Sequence, residues 1–459
     1  MIGHEALTVL GPTTKQRMAA GKALRSKVPR GSHARFEPPA KRTDPVELLR
    51  AVDRGRLAEL LPIRYARMCA SPFGFFRGAA ALMALDLATT AATGLRVQAC
   101  GDCHVANFGG FGSPERNLVF DINDFDETLP APWEWDVKRL ATSVILASRE
   151  LGLKERSCAD ASRAVVESYR EHMREYANMP ALEVWYSHLD AEILVDEART
   201  VAAQKRWRQI EKAAKHETAE HVFPQITTVK NGRARILDHP PLIYHPPQFS
   251  ATGRRVEELF ERYRRTLPEE RRVILDRYHV RDVARKVVGV GSVGTRCAVA
   301  LLLAGKHDPL FLQFKEAVQS VLEPYAGTSA YSHHGQRIVT GQRLMQPASD
   351  IFLGWATAPN DRHFYVRQLH DAKIKPLVDT FNAEMLDVYA QACGWVLARA
   401  HAKAGEISAT ISGYLGSSND AFDAAMGKFA LGYADQAERD YAELKAAVRK
   451  GKIAACQES

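Results

Sequence analysis

Two periods of apolar and polar residues alternate along this chain, and the switches between them divide it. Val46 to Met68 and Phe75 to Ala88 carry apolar residues at helical spacing, the second stretch rich in Ala and Leu. Thr93-Gly94 breaks the pattern, LRVQAC reads as a short strand, and GDCHVANFGGF follows as a loop of small and polar residues. NLVFDIN is β-prone and ends in an acidic elbow, DFDET, after which Asp136 to Leu151 reads as helix. Residues 155–285 are mostly helical in pattern, except that QITTVKNGRARIL places Asn231-Gly232 between two β-prone runs and predicts a hairpin.

From Lys286 the texture turns β-prone, in KVVGVGSVGTRCAVALLL, PLFLQFK, DIFLGWA and HFYVRQL, with helical sequence around Glu316 to Leu322. After Asp371 it is helical again, with no internal repeat. The pattern predicts an α+β protein: a basic arm over 1–45, a helical lobe over 46–285, a β-rich lobe over 286–371, and C-terminal helices over 372–459 packed on the large lobe.

Composition narrows the classes. With 459 residues, 46% hydrophobic and 25% charged, the chain is neither collagen-like nor wholly disordered. No run approaches the roughly 18 apolar residues of a membrane-spanning helix, and MIGHEALTVLGPTTK lacks the apolar core of a secretory signal, so a cytoplasmic protein is expected. The net charge of +8 is concentrated between Lys15 and Arg42, where nine Lys/Arg face one acid, Glu37. That arm reads as a solvated leader or a wrapping of the parent domain, and nucleic acid is not an expected partner. VPRGSH resembles a protease-site scar, but its flanks run on naturally and it reads as native.

Seven scattered cysteines argue against a disulfide framework. Cys100-x-x-Cys103-His104 matches haem attachment and half a zinc site, but no export signal and no second ligand pair accompany it.

Two constellations carry chemistry. The first is Gly101-Asp102-x-x-x-x-Asn107, followed by a strand ending Asp124-Phe125-Asp126. Phosphoryl transfer needs a carboxylate to take the acceptor's proton and oxygen ligands to hold Mg²⁺ on the phosphates. Asp102 is the expected base, with Asn107 and Asp124 as metal ligands. Asp121 is an alternative ligand, Asp126 or Glu127 a helper or a cap, and His104 an orienting or structural group. Asp136 reads as a cap or a support for the loop.

The second is Gly289-x-Gly291-x-x-Gly294, with Lys315 at the end of PLFLQFK. Glycines at this spacing let backbone N–H groups approach phosphates, and a nearby lysine neutralises them. Glu323 and Glu316 are the candidates to orient that lysine. A rival reading makes TRCAVALLLAG a helix and the glycines the opening of an NAD(P)-binding unit, with Glu316 at the ribose. Arg64, Arg67 and Arg77 have the reach for phosphate, though helix arginines more often pair with surface acids. His333-His334 reads as a polar loop.

The strings SPFGFFRGAA, GDCHVANFG, VFDINDFDETLPAPWEWDVKRLA, VVGVGSVGTR and GQRLMQPASDIFLGW resemble a bacterial family known only as domain of unknown function 2252, from about Val28 to the last helices. Separately, GDxxxxN, the D-F-D strand end and the later Asp-x-x-Arg-Leu-Ala resemble the catalytic segment of aminoglycoside phosphotransferase-like kinases. That resemblance implies a two-lobed protein-kinase-like fold using ATP and Mg²⁺. The order departs from it, because the catalytic loop at Gly101 precedes the glycine loop at Gly289, which requires circular permutation; Cys100 also stands where related phosphotransferases carry His. The expected activity is phosphotransfer to an unidentified small-molecule or protein hydroxyl. The competing expectations are nucleotidyl transfer, or a nucleotide-binding module without catalysis.

Overall fold

The computed structural model describes residues 11–39, 41–246, 254–305, 308–369, 377–417 and 421–456. The first ten residues of the expected arm and the expected boundary at 371/372 lie outside them. Among the described residues no helix is long and apolar enough to cross a membrane.

The chain opens with α1 (Thr14–Leu24), α2 (Pro45–Val52), α3 (Leu61–Cys69), α4 (Pro72–Gly78) and α5 (Ala80–Leu87). Both long helices expected here are divided. Asp44 caps α2 through its side chain, but Gly55 takes a positive φ and Pro62 opens α3, so the periodicity over 46–68 spans two helices and a turn. Ser71 caps α4 by accepting from the Gly74 N–H, and Ala79 separates α4 from α5.

Two short antiparallel pairs come next: β1 (Arg96–Ala99) with β4 (Leu129–Pro132), and β2 (Phe108–Gly112) with β3 (Leu118–Ile122). Behind them stand α6 (Trp133–Glu150) and α7 (Glu155–Asn178), then α8 (Ala181–Tyr186), α9 (Ile193–Asp196), α10 (Val201–Lys215) and α11 (Ala219–Ile226). The hairpin of β5 (Thr227–Lys230) and β6 (Arg233–Ile236) forms as expected, with Asn231 and Gly232 at φ 53° and 73°, the signs a type I′ turn demands.

The remaining elements are β7 (Ile243–Tyr244), α12 (Arg254–Arg264), α13 (Glu269–Leu275), β8 (His279–Lys286), β9 (Cys297–Gly305), β10 (Asp308–Glu316), α14 (Glu323–Ala326), α15 (His334–Met345), β11 (Gly354–Thr357), β12 (His363–Gln368), α16 (Ala383–Lys403), α17 (Ser408–Leu415) and α18 (Ala421–Arg449). Six strands form one antiparallel sheet in the order β11-β12-β10-β9-β8-β7. The sheet thus recruits β7 and β8 from sequence ahead of Lys286, and helix begins at Glu323 rather than Glu316. His333-His334 opens a helix, α15, because the His333 ring accepts the Gln336 N–H as an N-cap.

The apolar run CAVALLLAG is β9, and its lack of alternation has a simple cause. Ala300 and Leu302 pack toward α12 and α13, while Val299, Leu301 and Leu303 pack toward α11 and β6. Both faces are buried, so both sets of positions are apolar. This removes the NAD(P) reading: no helix follows the glycine turn, and the sheet is antiparallel, whereas a dinucleotide unit needs a helix N-terminus and parallel strands.

The large core joins α6, α7, α16, α17 and α18 around Trp133, Tyr169, Trp207 and Tyr389. Much of the basic arm is consumed on this lobe. Arg25 donates to the carbonyls of Gly413 and Tyr414, and Arg30 to that of Leu415, at the end of α17. Arg42 pairs with Asp86 at 2.8 Å and Asp440 at 2.6 Å. His33, within VPRGSH, is fully buried and bonded to the Tyr414 hydroxyl.

Candidate functional site

The loop between β1 and β2 is held open from behind. Both oxygens of Asp136, on the first turns of α6, accept backbone N–H groups, from Cys100 at 2.6 Å and from Gly101 at 2.9 Å, while His401 faces one of them at 3.2 Å. Asp136 is thus the support the sequence suggested. Tyr389 donates to the carbonyls of Val105 and Phe108, and Ser143 accepts from the Val105 N–H. Gly101 has φ +85°, and a β-carbon there would lie 2.5 Å from the Glu127 carbonyl oxygen, so only glycine serves.

This bracing presents Asp102 and Asn107. Asp102 receives Arg139 on Oδ1 through both Nε, at 2.7 Å, and Nη2. Burial raises the Asp102 carboxyl above its usual range, with Arg139 opposing. Asn107 donates its amide N–H to the Asp102 carbonyl at 2.8 Å, which leaves its Oδ1 as the free acceptor, and its own carbonyl accepts from the Asn123 N–H at 2.8 Å. The loop after β1 and the elbow after β3 are thereby laced together.

In the elbow the two carboxylates differ. Asp126 is saturated: Tyr365 donates to Oδ1 at 2.9 Å, Ser292 to Oδ2 at 3.0 Å, and Lys315 forms an ion pair with it. Among the described residues Asp124 accepts only the Asp126 N–H, at 3.2 Å, and it stands 3.7 Å from Lys315. Burial works against both charges. Lys315 and Tyr365 hold Asp126 low, while the repulsion of Asp126 adds to burial in raising Asp124. Asp124 is also the more exposed, at 33% against 25%.

Lys315 is 2% exposed and keeps its charge despite burial because Asp124 and Asp126 outweigh the desolvation. It shares a face of β10 with Gln313, opposite Tyr365 and Arg367 of β12. Neither expected glutamate reaches it. Glu316, next along the strand, turns to Arg296 and Arg362, because neighbouring strand residues point to opposite faces; Glu323 accepts from Gln319 and Ser320 at the start of α14. The partner of Lys315 lies instead on the β3–β4 elbow.

Three more polar side chains of this region have other partners, although His104 and Glu127 also line the cleft. Asp121 is fully buried and paired with Arg399 at 2.7 Å, on the far side of β3. Glu127 accepts the Val321 N–H, a structural role. His104 lies 3.8 Å from Asp102, beyond hydrogen-bond range, and burial keeps it neutral. Cys100 and Cys103 are buried free thiols, and among the described residues no group of three His, Cys, Asp or Glu is placed to hold a metal by itself.

The glycine turn closes the site. Gly289 and Gly294 take φ +59° and +91°. The turn's carbonyls are taken by arginines from below: Arg64 binds those of Val290 and Gly291, Arg67 that of Gly289, and Arg56 that of Val293. Among the described residues the N–H groups of Val290, Gly291 and Ser292 have no intramolecular acceptor. Sequence reasoning missed this use of Arg56, Arg64 and Arg67, since nothing in a helix pattern tells which distant carbonyls an arginine will reach. It missed the partner of Asp102 as well, although Arg139 stands in the quoted Asp-x-x-Arg-Leu-Ala string.

The result is one narrow cleft, lined by Asp102, Asn107, Asp124, Asp126 and the turn Gly289–Ser292. The early acidic loop and the late glycine turn face each other across it, and Lys315 reaches its wall through Asp124 and Asp126.

The family model described as "Uncharacterized protein conserved in bacteria (DUF2252)" matches residues 56–447, so the match starts later than the Val28 suggested by the sequence. No curated protein and no solved structure matches the chain.

Proposed function

The chain belongs to the bacterial family DUF2252, and since that description names no activity, we propose from the cleft itself that the protein is an ATP- and Mg²⁺-dependent phosphotransferase acting on a hydroxyl acceptor. The observation that carries this reading is the convergence of Asp102, Asn107 and Asp124 with the glycine turn and Lys315.

The layout of the sheet supports a kinase-like lobe. The glycine turn joins β8 to β9, the lysine stands on the next strand, β10, and two helices and two further strands follow. The catalytic loop precedes all of this in the chain, which is the permuted order.

The donor set suits the cofactor. The unpaired N–H groups of the turn match phosphate oxygens, and Asn107 Oδ1 with Asp124 supplies the one or two protein oxygens that Mg²⁺ takes beside phosphate. When bound, the metal would supply charge neutralisation on the β- and γ-phosphates. Asp102 receives the acceptor's hydroxyl proton as the acceptor oxygen bonds to the γ-phosphorus, and the bond from that phosphorus to the β–γ bridging oxygen breaks, releasing ADP. Arg139 fixes Asp102 so that Oδ2 faces the cleft. Lys315, pinned by Asp126, holds Asp124 in place and adds positive charge beside the phosphates.

The test is ATP-dependent thermal stabilisation with and without Mg²⁺, followed by ATP turnover against hydroxyl acceptors. Stabilisation that needs Mg²⁺ and is lost in Asp124→Asn supports the reading. Binding without turnover across the panel favours a module without catalysis, and no response to ATP ends the proposal.

A further inference from the structure

A second cavity, of about 480 Å³, adjoins the first. Its lining includes Phe73 and Arg77 of α4, Ala106 of the catalytic loop, Glu150 at the end of α6, and Asp379. Arg77, Gly289 and Val290 line both spaces. Resting on the phosphotransferase reading, we propose that this cavity receives the acceptor, and that the acceptor carries an anionic group, phosphate or carboxylate, bound by Arg77.

Arg77 differs from the arginines around it. Arg56, Arg64 and Arg139 all spend their N–H groups on carbonyls or carboxylates. Among the described residues the Arg77 guanidinium has no hydrogen bond and no ion pair; its contact is with the Phe73 ring, 5.8 Å from Cζ to centroid, and its buried Nε has no acceptor. A guanidinium half withdrawn from water without a partner is costly, and an incoming anion removes that cost.

Its placement indicates which ligand it serves. Phe73 lines the second cavity and not the first, so its ring holds the guanidinium at the boundary between the two. The phosphate chain already has the turn N–H groups and Lys315. Asp102 and Arg77 line the same first space, so an anion on Arg77 leaves a neighbouring hydroxyl of the same small molecule on the side of the base. Glu150 and Asp379 are exposed, and both lie among the charges acting on Arg77. At the mouth of the cavity they disfavour an extended polyanion such as nucleic acid and favour a compact acceptor.

The experiment is calorimetric titration of the full chain with glycerol 3-phosphate and with glycerate, which separate phosphate from carboxylate, and with glycerol and choline as neutral and cationic controls. At least one anionic probe binds saturably and the controls do not. Arg77→Met weakens that binding at least about tenfold, Arg77→Lys falls between, and Lys428→Met, on the exposed face of α18, stays within about twofold of the wild type. Failure of both anionic probes, preference for choline, unchanged binding by Arg77→Met, or an equal loss in Lys428→Met each overturns the proposal. If Arg77→Met does not fold, the Arg77→Lys titration decides. Anion binding that depends on Arg77 in a protein that does not respond to ATP would remove the phosphotransferase reading and leave the anion site standing.

Discussion

Gly291 lies against Asp102. A β-carbon on that glycine would stand 3.9 Å from the Asp102 carboxylate and 3.3 Å from the Arg77 carbonyl oxygen. Two residues from opposite ends of the sequence pattern therefore form facing walls of one narrow space. Gly291→Ala should fold at a cost of about 1 kcal/mol or less, while Gly291→Val fills the space where phosphate would lie. We expect ATP-induced thermal stabilisation to weaken in the first and vanish in the second. A valine variant that binds ATP like the wild type would show that phosphates do not pass there.

Asp102→Asn keeps an oxygen acceptor for Arg139 and removes the base. Turnover should fall roughly 10²- to 10⁴-fold with little change in melting temperature. Asp102→Ala also leaves the buried Arg139 unpaired and should cost about 3–5 kcal/mol in stability, so the asparagine variant is the cleaner probe. Because burial, against the pull of Arg139, raises this carboxyl, the acid limb of the pH–rate profile should lie above the ordinary value of 3.8. Rates in Asp102→Asn within about threefold of wild type would remove its role.

The two carboxylates of the elbow should separate experimentally. Asp124→Asn should raise the Mg²⁺ concentration needed for activity while leaving the fold stable. Asp126→Asn strips Lys315 of its closest partner and should lower stability by about 2–4 kcal/mol in denaturant unfolding. The opposite pattern would exchange their assignments.

Asp121 and Arg399 form a pair buried on both sides. Burial raises the Asp121 carboxyl to about 6, more than Arg399 can offset. Folding thus disfavours its ionised form, so its contribution to stability is complete below the unfolded value of 3.8 and is lost as the pH rises through about 6. Unfolding free energies of wild type and Asp121→Asn, compared between about pH 4 and pH 8, should differ most in wild type's favour at the acid end. A pH-independent difference contradicts the raised value.

Arg64→Met removes donors from the carbonyls of Gly78, Val290 and Gly291 and a partner from Asp53. Stability should fall by about 2–4 kcal/mol, and amide exchange across Gly289–Gly294 should accelerate. Unchanged exchange there would mean that the turn holds its shape without the arginine.

The elements most legible in the sequence were those governed by local rules. Asn231-Gly232 dictated its own turn, NLVFDIN its strand, and the site residues stood in short motifs whose spacing survives folding. Partnerships made across long separations were not legible. Lys315 looked to nearby glutamates, but alternation along β10 sends Glu316 elsewhere and the third dimension brings in Asp126. The ambiguity of CAVALLLAG came from burial on both faces, which erases the period that distinguishes strand from helix. The division of the early helices turned on Gly55 and Pro62, single residues within an otherwise continuous apolar rhythm.

The bracing of the loop between β1 and β2 has a bearing on biosynthesis. Asp136 comes soon after the residues it supports, but Tyr389 and His401, which complete that support, lie nearly three hundred positions further on. Until α16 has left the ribosome, the loop bearing Asp102 lacks its rear wall. The loop therefore takes its braced form only after nearly the whole chain has emerged.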